Sequence, residues 1–316
     1  MPECPPVLLI IFNRPETTDK VFARIREIRP KHLYIGADGP RSDVEGEDAK
    51  CRKARKIVDG VDWPCEVKTL FREKNLGCRK AVSESITWFF ENVNEGIILE
   101  DDCLPDPSFF DYCSNLLERY KDDTRIMCIS GSNFQNGEIR GDGDYYYSIF
   151  PHCWGWATWR RAWNLYDSEM SSWPSFKEQN GCKGLLPHSS DIRRFQGSFQ
   201  NAADGILDSW GYVWLYSCWS QNGLTCLPQK NLVQNVGFSS DATRTGGEWW
   251  MSIPAEKMIS FKAPTLINPN TTADNYTLRN HHKIEKRESK KALLLRLLKE
   301  FKLDIRDKWN NWRQAS

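Results

Sequence analysis

An α/β fold with a mainly parallel sheet flanked by helices is predicted by three observations. Short apolar runs alternate with helix-spaced segments through the first hundred residues. Four of those runs end in polar groups: Arg14, Asp38, Arg72 and the acidic cluster Glu100-Asp101-Asp102. Ligands of open α/β sheets bind beyond the carboxyl ends of the strands, so four strand ends delivering polar side chains to one edge mark a binding edge. Neither GxGxxG nor GxxxxGK[ST] occurs, which argues against a dinucleotide site and a P-loop.

Residues 7–12 are too few for a helix and are halted by Asn13-Arg14-Pro15, after which Val21, Phe22, Ile25 and Ile28 keep helical spacing. Residues 32–37 repeat the strand and end in Asp38-Gly39-Pro40, ahead of a charged helix over residues 45–58. A third strand, residues 65–71, closes on Arg72, and Asn75-Leu76-Gly77 opens a helix over residues 79–90. The fourth, Ile97-Ile98-Leu99, runs directly into Glu100-Asp101-Asp102, and Pro105 and Pro107 forbid a longer strand. Three adjacent carboxylates repel one another unless a positive charge joins them. Two readings follow: a hard divalent cation, Mg²⁺ or Mn²⁺, sharing carboxylate oxygens with a bound phosphate, or a solvated acidic turn.

The chain has 316 residues and 40% hydrophobic content, enough for one large domain or two closely joined ones. No stretch approaches the roughly 20 apolar residues that span a bilayer, and residues 1–12 lack a secretory signal pattern, so a cytoplasmic location is expected. Eleven scattered cysteines, an odd number without a CxxC pair, read as reduced thiols and not as a zinc site. Net charge is +1 but unevenly placed, with 11 Lys/Arg against 5 Asp/Glu from Lys283 onward.

A strand ending in Asn-Arg-Pro, a second ending in Asp38, and Ile-Leu-Glu-Asp-Asp followed by Pro and Phe109-Phe110 resemble the GT-A (Rossmann-like) glycosyltransferases. The nearest resemblance is to the inverting branch that contains the Golgi N-acetylglucosaminyltransferase initiating complex N-glycans and bacterial nucleotide-diphospho-sugar transferases. The resemblance implies that Asp102 holds Mn²⁺ and that Glu100 and Asp101 face the ribose and sugar. It also implies that Arg14 meets the pyrophosphate or uridine and that Asp38 reads the uracil or ribose side. Arg72 joins these as a nucleotide-side residue by its place at a strand end.

Residues 107–120 have helical spacing with Asp106 as N-cap, and residues 125–131 form a further strand before a polar loop and Tyr145-Tyr146-Tyr147. In the next segment Trp156, Trp159 and Trp163 fall at i, i+3 and i+7, the spacing of one helix face, and are expected in the core. Trp154 and Gly155 precede that helix, Trp154 to offer an aromatic face to a sugar and Gly155 to let a donor approach the backbone. The Trp-Gly-Trp-Ala-Thr-Trp run resembles a signature of the bacterial relatives.

Inverting transfer needs a carboxylate to take the acceptor's proton. Asp208, just before Trp210, is the first candidate because the Golgi relative carries its base in an Asp-Asp-Trp context; Asp204 shares its face if the segment is helical, or is an N-terminal cap. Residues 239–247, small and Gly-rich, suit a loop that closes over the donor or an ordinary surface loop, and Arg244 stands where the relatives often carry His, placed for the pyrophosphate. Leu294, Leu297, Leu298, Phe301, Ile305, Trp309 and Trp312 line one face of a basic helix over residues 284–312, suited to an anionic membrane surface, to docking on the domain, or to a homodimer.

The expected organisation is a GT-A domain over residues 1–278, with a nucleotide half to 105 and an acceptor half beyond it, and a basic amphipathic helical tail over residues 279–316. The expected activity is metal-dependent, inverting transfer from a UDP-hexose or UDP-N-acetylhexosamine to a glycan or lipid-linked glycan, peripheral on the inner membrane face and without a nucleic-acid partner. The alternatives are a nucleotidyltransferase that makes the nucleotide-sugar and a non-catalytic glycan-binding module.

Overall fold

The computed structural model describes residues 3–238, Met251 and residues 253–282. Arg244, the 239–247 loop and the 284–312 helix all lie outside the described residues.

Four parallel strands open the chain: β1 (Val7–Ile11), β2 (His32–Ala37), β3 (Glu66–Phe71) and β4 (Glu95–Glu100). They are linked by α1 (Pro15–Ile28), α2 (Glu47–Ile57) and α3 (Cys78–Asn92). Strand β1 lies between β2 and β4, with Val7 opposite both Leu33 and Ile97, and all five of its residues are buried. A strand covered on both faces reads as a continuous apolar run, which is why this element was legible from composition alone. Pro15 sits at the first turn of α1, where its missing N–H costs nothing and its fixed φ suits the helix. The outer strand β3 is half exposed, and Arg55 from α2 lies over Phe71 at 5.0 Å and donates to the carbonyls of Asp38 and Arg72, covering that edge.

Beyond β4 the chain adds β5 (Cys103–Pro105), α4 (Ser108–Tyr120), β6 (Ile126–Ser130), β7 (Tyr145–Ser148) and β8 (Trp156–Trp159). Asp106 Oδ1 accepts from Ser108 N–H, as expected of a residue opening α4. The eight-stranded sheet runs β3-β2-β1-β4-β8-β6-β9-β7, with β9 (Leu224–Pro228) parallel to β6 and β8 antiparallel to both of its neighbours. It is therefore a mixed sheet, parallel in its first four strands, within an α/β fold.

The helix expected through Trp156, Trp159 and Trp163 is not formed. Trp156–Trp159 is a strand, and only Arg160–Trp163 makes a short helical turn, α5. Strands β4 and β6 offer unpaired backbone on the two sides of that slot, and pairing Ile97 and Ile129 with Ala157 satisfies both. The tryptophans are buried as expected: Trp156 packs against Trp210 at 5.7 Å and Trp214 at 5.6 Å, and Trp163 against Trp214 at 5.3 Å.

Next come α6 (Trp173–Glu178), α7 (Ser189–Ala203) and α8 (Trp210–Ser220). Asp204 and Asp208 lie in the turn between α7 and α8 and share no helix face: Asp204 caps the end of α7 and Gly205, at φ +72°, breaks the chain away. Strand β10 (Val233–Asn235) pairs antiparallel with β5. The polar stretch after Asn268 becomes α9 (Thr271–Asn280), N-capped by the Asn270 side chain and packed against β7. All eleven cysteines are free thiols, and no described helix is long and apolar enough to cross a membrane.

Helix α9 buries a carboxyl. Asp274 accepts from Ser148 Oγ at 2.5 Å, and burial lifts its pKa from 3.8 to about 7, only partly offset by that contact and the Ile149 N–H. An acid whose folded pKa is raised stabilises fully below its unfolded pKa and loses that contribution as pH rises through the folded value. The melting temperature of Asp274→Asn relative to wild type should therefore rise between about pH 4 and pH 7, whereas a constant difference across that window would refute the assignment.

Candidate functional site

The site begins where β4 meets its acidic turn. Asp101 folds back on the neighbouring strand end and accepts the Phe12 N–H at 3.1 Å. Arg14 Nη1 donates to Asp102 Oδ2 at 2.6 Å and stands 3.9 Å from Asp101 Oδ1. Burial works against the Arg14 charge, but Asp102 and Asp101 outweigh it and hold its pKa above the ordinary value. Burial, reinforced by the neighbouring acids, pushes Glu100 and Asp101 well up from the usual carboxylate range. The pairing of β10 with β5 brings Gly237 over the Arg14–Asp102 pair, where a Cβ would lie 2.3 Å from Asp102 Oδ2 and 2.9 Å from Arg14 Nη1. Asn235 Oδ1 holds the Gly237 N–H at 2.8 Å, so the Asn-x-Gly run is what lets the chain pass this close.

Three expected nucleotide-side residues have other partners. Asp38 is buried, and its carboxylate accepts from the N–H groups of Gly39 and Leu76 and from Asn75 Nδ2, fastening the 75–77 loop. Burial raises its pKa against the pull of those backbone donors. Arg72 donates to Ser85 Oγ and Glu84 on α3, at the outer strand and three strands from the acidic turn. Asp101, expected to face the donor, is occupied by the Phe12 N–H as described.

A cavity of about 530 Å³ opens beside Glu100, and Phe134, Trp154, Ser209, Trp210 and Tyr212 contribute to its wall. Trp154 is thus where an aromatic face can meet a ligand, edge-on to Phe134 with ring centres 5.5 Å apart. Gly155 serves a different purpose from the one expected. At φ +66°, with a Cβ position 2.6 Å from Val233 Cγ2, its bare backbone makes room for β10 and not for a ligand. Asp208 is not itself on the wall but precedes the lining residue Ser209; its Oδ1 accepts the Arg79 N–H at 3.1 Å in the first turn of α3. Glu100, Trp154 and the turn carrying Asp208 are therefore gathered at one cavity, with Arg14, Asp101 and Asp102 next to Glu100 in the turn, while Asp38 and Arg72 are set apart.

Four cavity residues escaped the sequence patterns: His152, Arg194, His281 and His282. His152 stands inside the tryptophan segment, where the aromatic signal masks it; the other three come from distant stretches, and nothing local marks them.

The donor set bears on a divalent cation. Among the described residues no group of three or more His, Cys, Asp or Glu converges to hold a metal ion. Asp102, partly exposed and countered by Arg14, offers one carboxylate, which fits a cation that takes its remaining ligands from phosphate and water.

No family model matches the chain, and no curated protein matches it. Among solved structures it is distantly similar to 4-diphosphocytidyl-2C-methyl-D-erythritolsynthase from Anaerococcus prevotii, at 10% identity, with 63% of this chain and 100% of that chain covered and a TM-score of 0.30. It is also distantly similar to UDP-glucose pyrophosphorylase complexed with UDP-glucose, at 11% identity, 45% and 62% coverage and a TM-score of 0.25. The apo form of UDP-glucose pyrophosphorylase matches at 10% identity, 73% and 93% coverage and a TM-score of 0.31. Likenesses this remote carry no argument about activity, which rests on the residues themselves.

Gly155→Ala should lower unfolding stability by roughly 1–3 kcal/mol, through strain at positive φ and the clash with Val233. Denaturant titration checks this, and unchanged stability would return Gly155 to the ligand site.

Proposed function

We propose that the protein transfers a sugar, with inversion, from a UDP-sugar to a glycan or lipid-linked glycan in a reaction dependent on Mn²⁺ or Mg²⁺. One observation carries this reading: Glu100, in the acidic strand end that Arg14 counters, lines an aromatic-walled cavity that Ser209, the neighbour of Asp208, also lines. A cation held by Asp102 would offset the charge of the departing diphosphate when bound. Arg14, already cationic and directed at that turn, is placed to bind the same diphosphate. Trp154 and Trp210 supply apolar faces for sugar rings, and Glu100, at the cavity wall, is placed for a sugar hydroxyl.

In the transfer the acceptor oxygen forms a bond to the anomeric carbon as the bond to the diphosphate oxygen breaks, and that electron pair leaves with the diphosphate. The acceptor's proton goes to Asp208, whose Oδ1 is fixed by the Arg79 N–H and whose Oδ2 accepts it.

The test is UDP release from a panel of UDP-sugars with Mn²⁺. Wild type should release UDP, Asp102→Ala should lose the metal-dependent rate, and Asp208→Asn should lower kcat by about 10²–10⁴-fold with nucleotide binding intact. Pyrophosphate production from UTP and a sugar 1-phosphate, without UDP release, would establish the nucleotidyltransferase instead. Sugar binding without either reaction would establish a binding module.

A further inference from the structure

The cavity extends past the residues used so far. His152, Arg194 and His282 lie on its wall, and the transfer scheme gives them no role. His152 is 7% exposed, and its Nε2 is buried with no hydrogen-bond partner among the described residues; His282 Nε2 is in the same position. Buried polar atoms are ordinarily satisfied, so two unspent imidazole nitrogens on one cavity wall point to a polar ligand group.

The rings are held in place by packing. His152 stands edge-on to Phe134 at 4.6 Å, and His282 lies 5.2 Å from Phe195 and 5.3 Å from Phe150. His281, stacked on Phe134 at 4.4 Å, separates and fixes the two, at 5.4 Å from His152 and 4.9 Å from His282. Burial pushes His152 and His282 well below the ordinary histidine range, so both rings are neutral near pH 7 and each offers a single N–H. A metal does not explain them, because no group of three or more ligating side chains converges among the described residues.

Charge at this end comes from Arg194 on α7. It is exposed at the cavity wall, forms no ion pair with any described Asp or Glu, and is close enough to help keep His282 neutral. A guanidinium left without a carboxylate beside two fixed neutral imidazoles suits an oxyanion: the arginine supplies charge and a two-pronged donor, and the imidazoles complete the oxygen's hydrogen bonds.

We infer that Arg194, His152 and His282 form an anion subsite that recognises a carboxylate or phosphate carried by the acceptor sugar. The assignment rests on reading the cavity as the acceptor side, but it concerns binding and can be tested without the transfer reaction. The full-length protein, free of nucleotide and metal, is titrated by ligand-observed NMR with methyl β-D-glucuronide, glucose 6-phosphate, neutral methyl β-D-glucoside and inorganic phosphate. At least one anionic sugar should bind about tenfold tighter than the neutral one, in line with a charge-assisted hydrogen bond, and Arg194→Gln should erase that preference. The carboxylate and phosphate arms tell which anion is read. Three results would overturn the subsite: no preference for either anionic sugar, a preference that survives Arg194→Gln, or inorganic phosphate binding as well as the sugar phosphate, the mark of an adventitious ion only. Arg194 is a surface residue outside the core, so its replacement leaves the fold available for the comparison. UDP release probes the donor reaction alone, so either idea can fail while the other stands.

Discussion

Two contacts tie the end of β4 to the end of β1: the Phe12 N–H on Asp101 and the Arg14 guanidinium on Asp102. Without them three successive carboxylates would be driven apart at a partly buried strand tip, since like charges in a poorly solvated place cannot stay ionised side by side. Pro15 helps by starting α1 immediately after Arg14, which leaves the guanidinium little freedom to leave the turn. The consequence is an ordered strand end where Asp102 is balanced by Arg14 and burial holds Glu100 and Asp101 toward their protonated forms.

The second half of the molecule is arranged to keep this edge open. Strand β8 fills the slot between β4 and β6, so the sheet continues past the acidic turn without any helix crossing it. Its Trp156, with Trp163, Trp210 and Trp214, forms a rigid aromatic wall behind the cavity. Aromatic rings pack tightly and bury large areas, so the segment Trp154-Gly155 is held against a surface that cannot easily give way. Val233 of β10 packs against Gly155, and Gly237, two residues past that strand, packs against Asp102, so the 233–237 stretch touches both the tryptophan segment and the acidic turn.

Much of the first hundred residues was legible because the signals there are local. A fully buried parallel strand is a run of apolar residues, and β1, β2 and β4 each show one; the polar residues after them had to fall at one edge of the sheet. The tryptophan segment misled because i, i+3, i+7 spacing is also produced by a strand followed by one helical turn, and the strand's partners, Ile97 and Ile129, are distant in sequence. For Asp204 and Asp208 the warning was present in Gly205, a residue suited to leaving a helix. Asp38 illustrates a different limit: its position at a strand end was legible, but its hydrogen bonds to the 75–77 loop depend on where that loop returns.

The cavity also shows why position along the sheet matters more than residue type. Its acidic wall residue, Glu100, belongs to one continuous acidic stretch, residues 100–102, and is therefore visible as a motif. Residues 152, 194 and 282 of the same wall are brought together only when α7 and the segment after α9 pack against the 149–155 chain. The wall thus carries one acid, Glu100, and one arginine, Arg194. Charged groups on that wall are few, while Trp154 and Trp210 supply aromatic contact area.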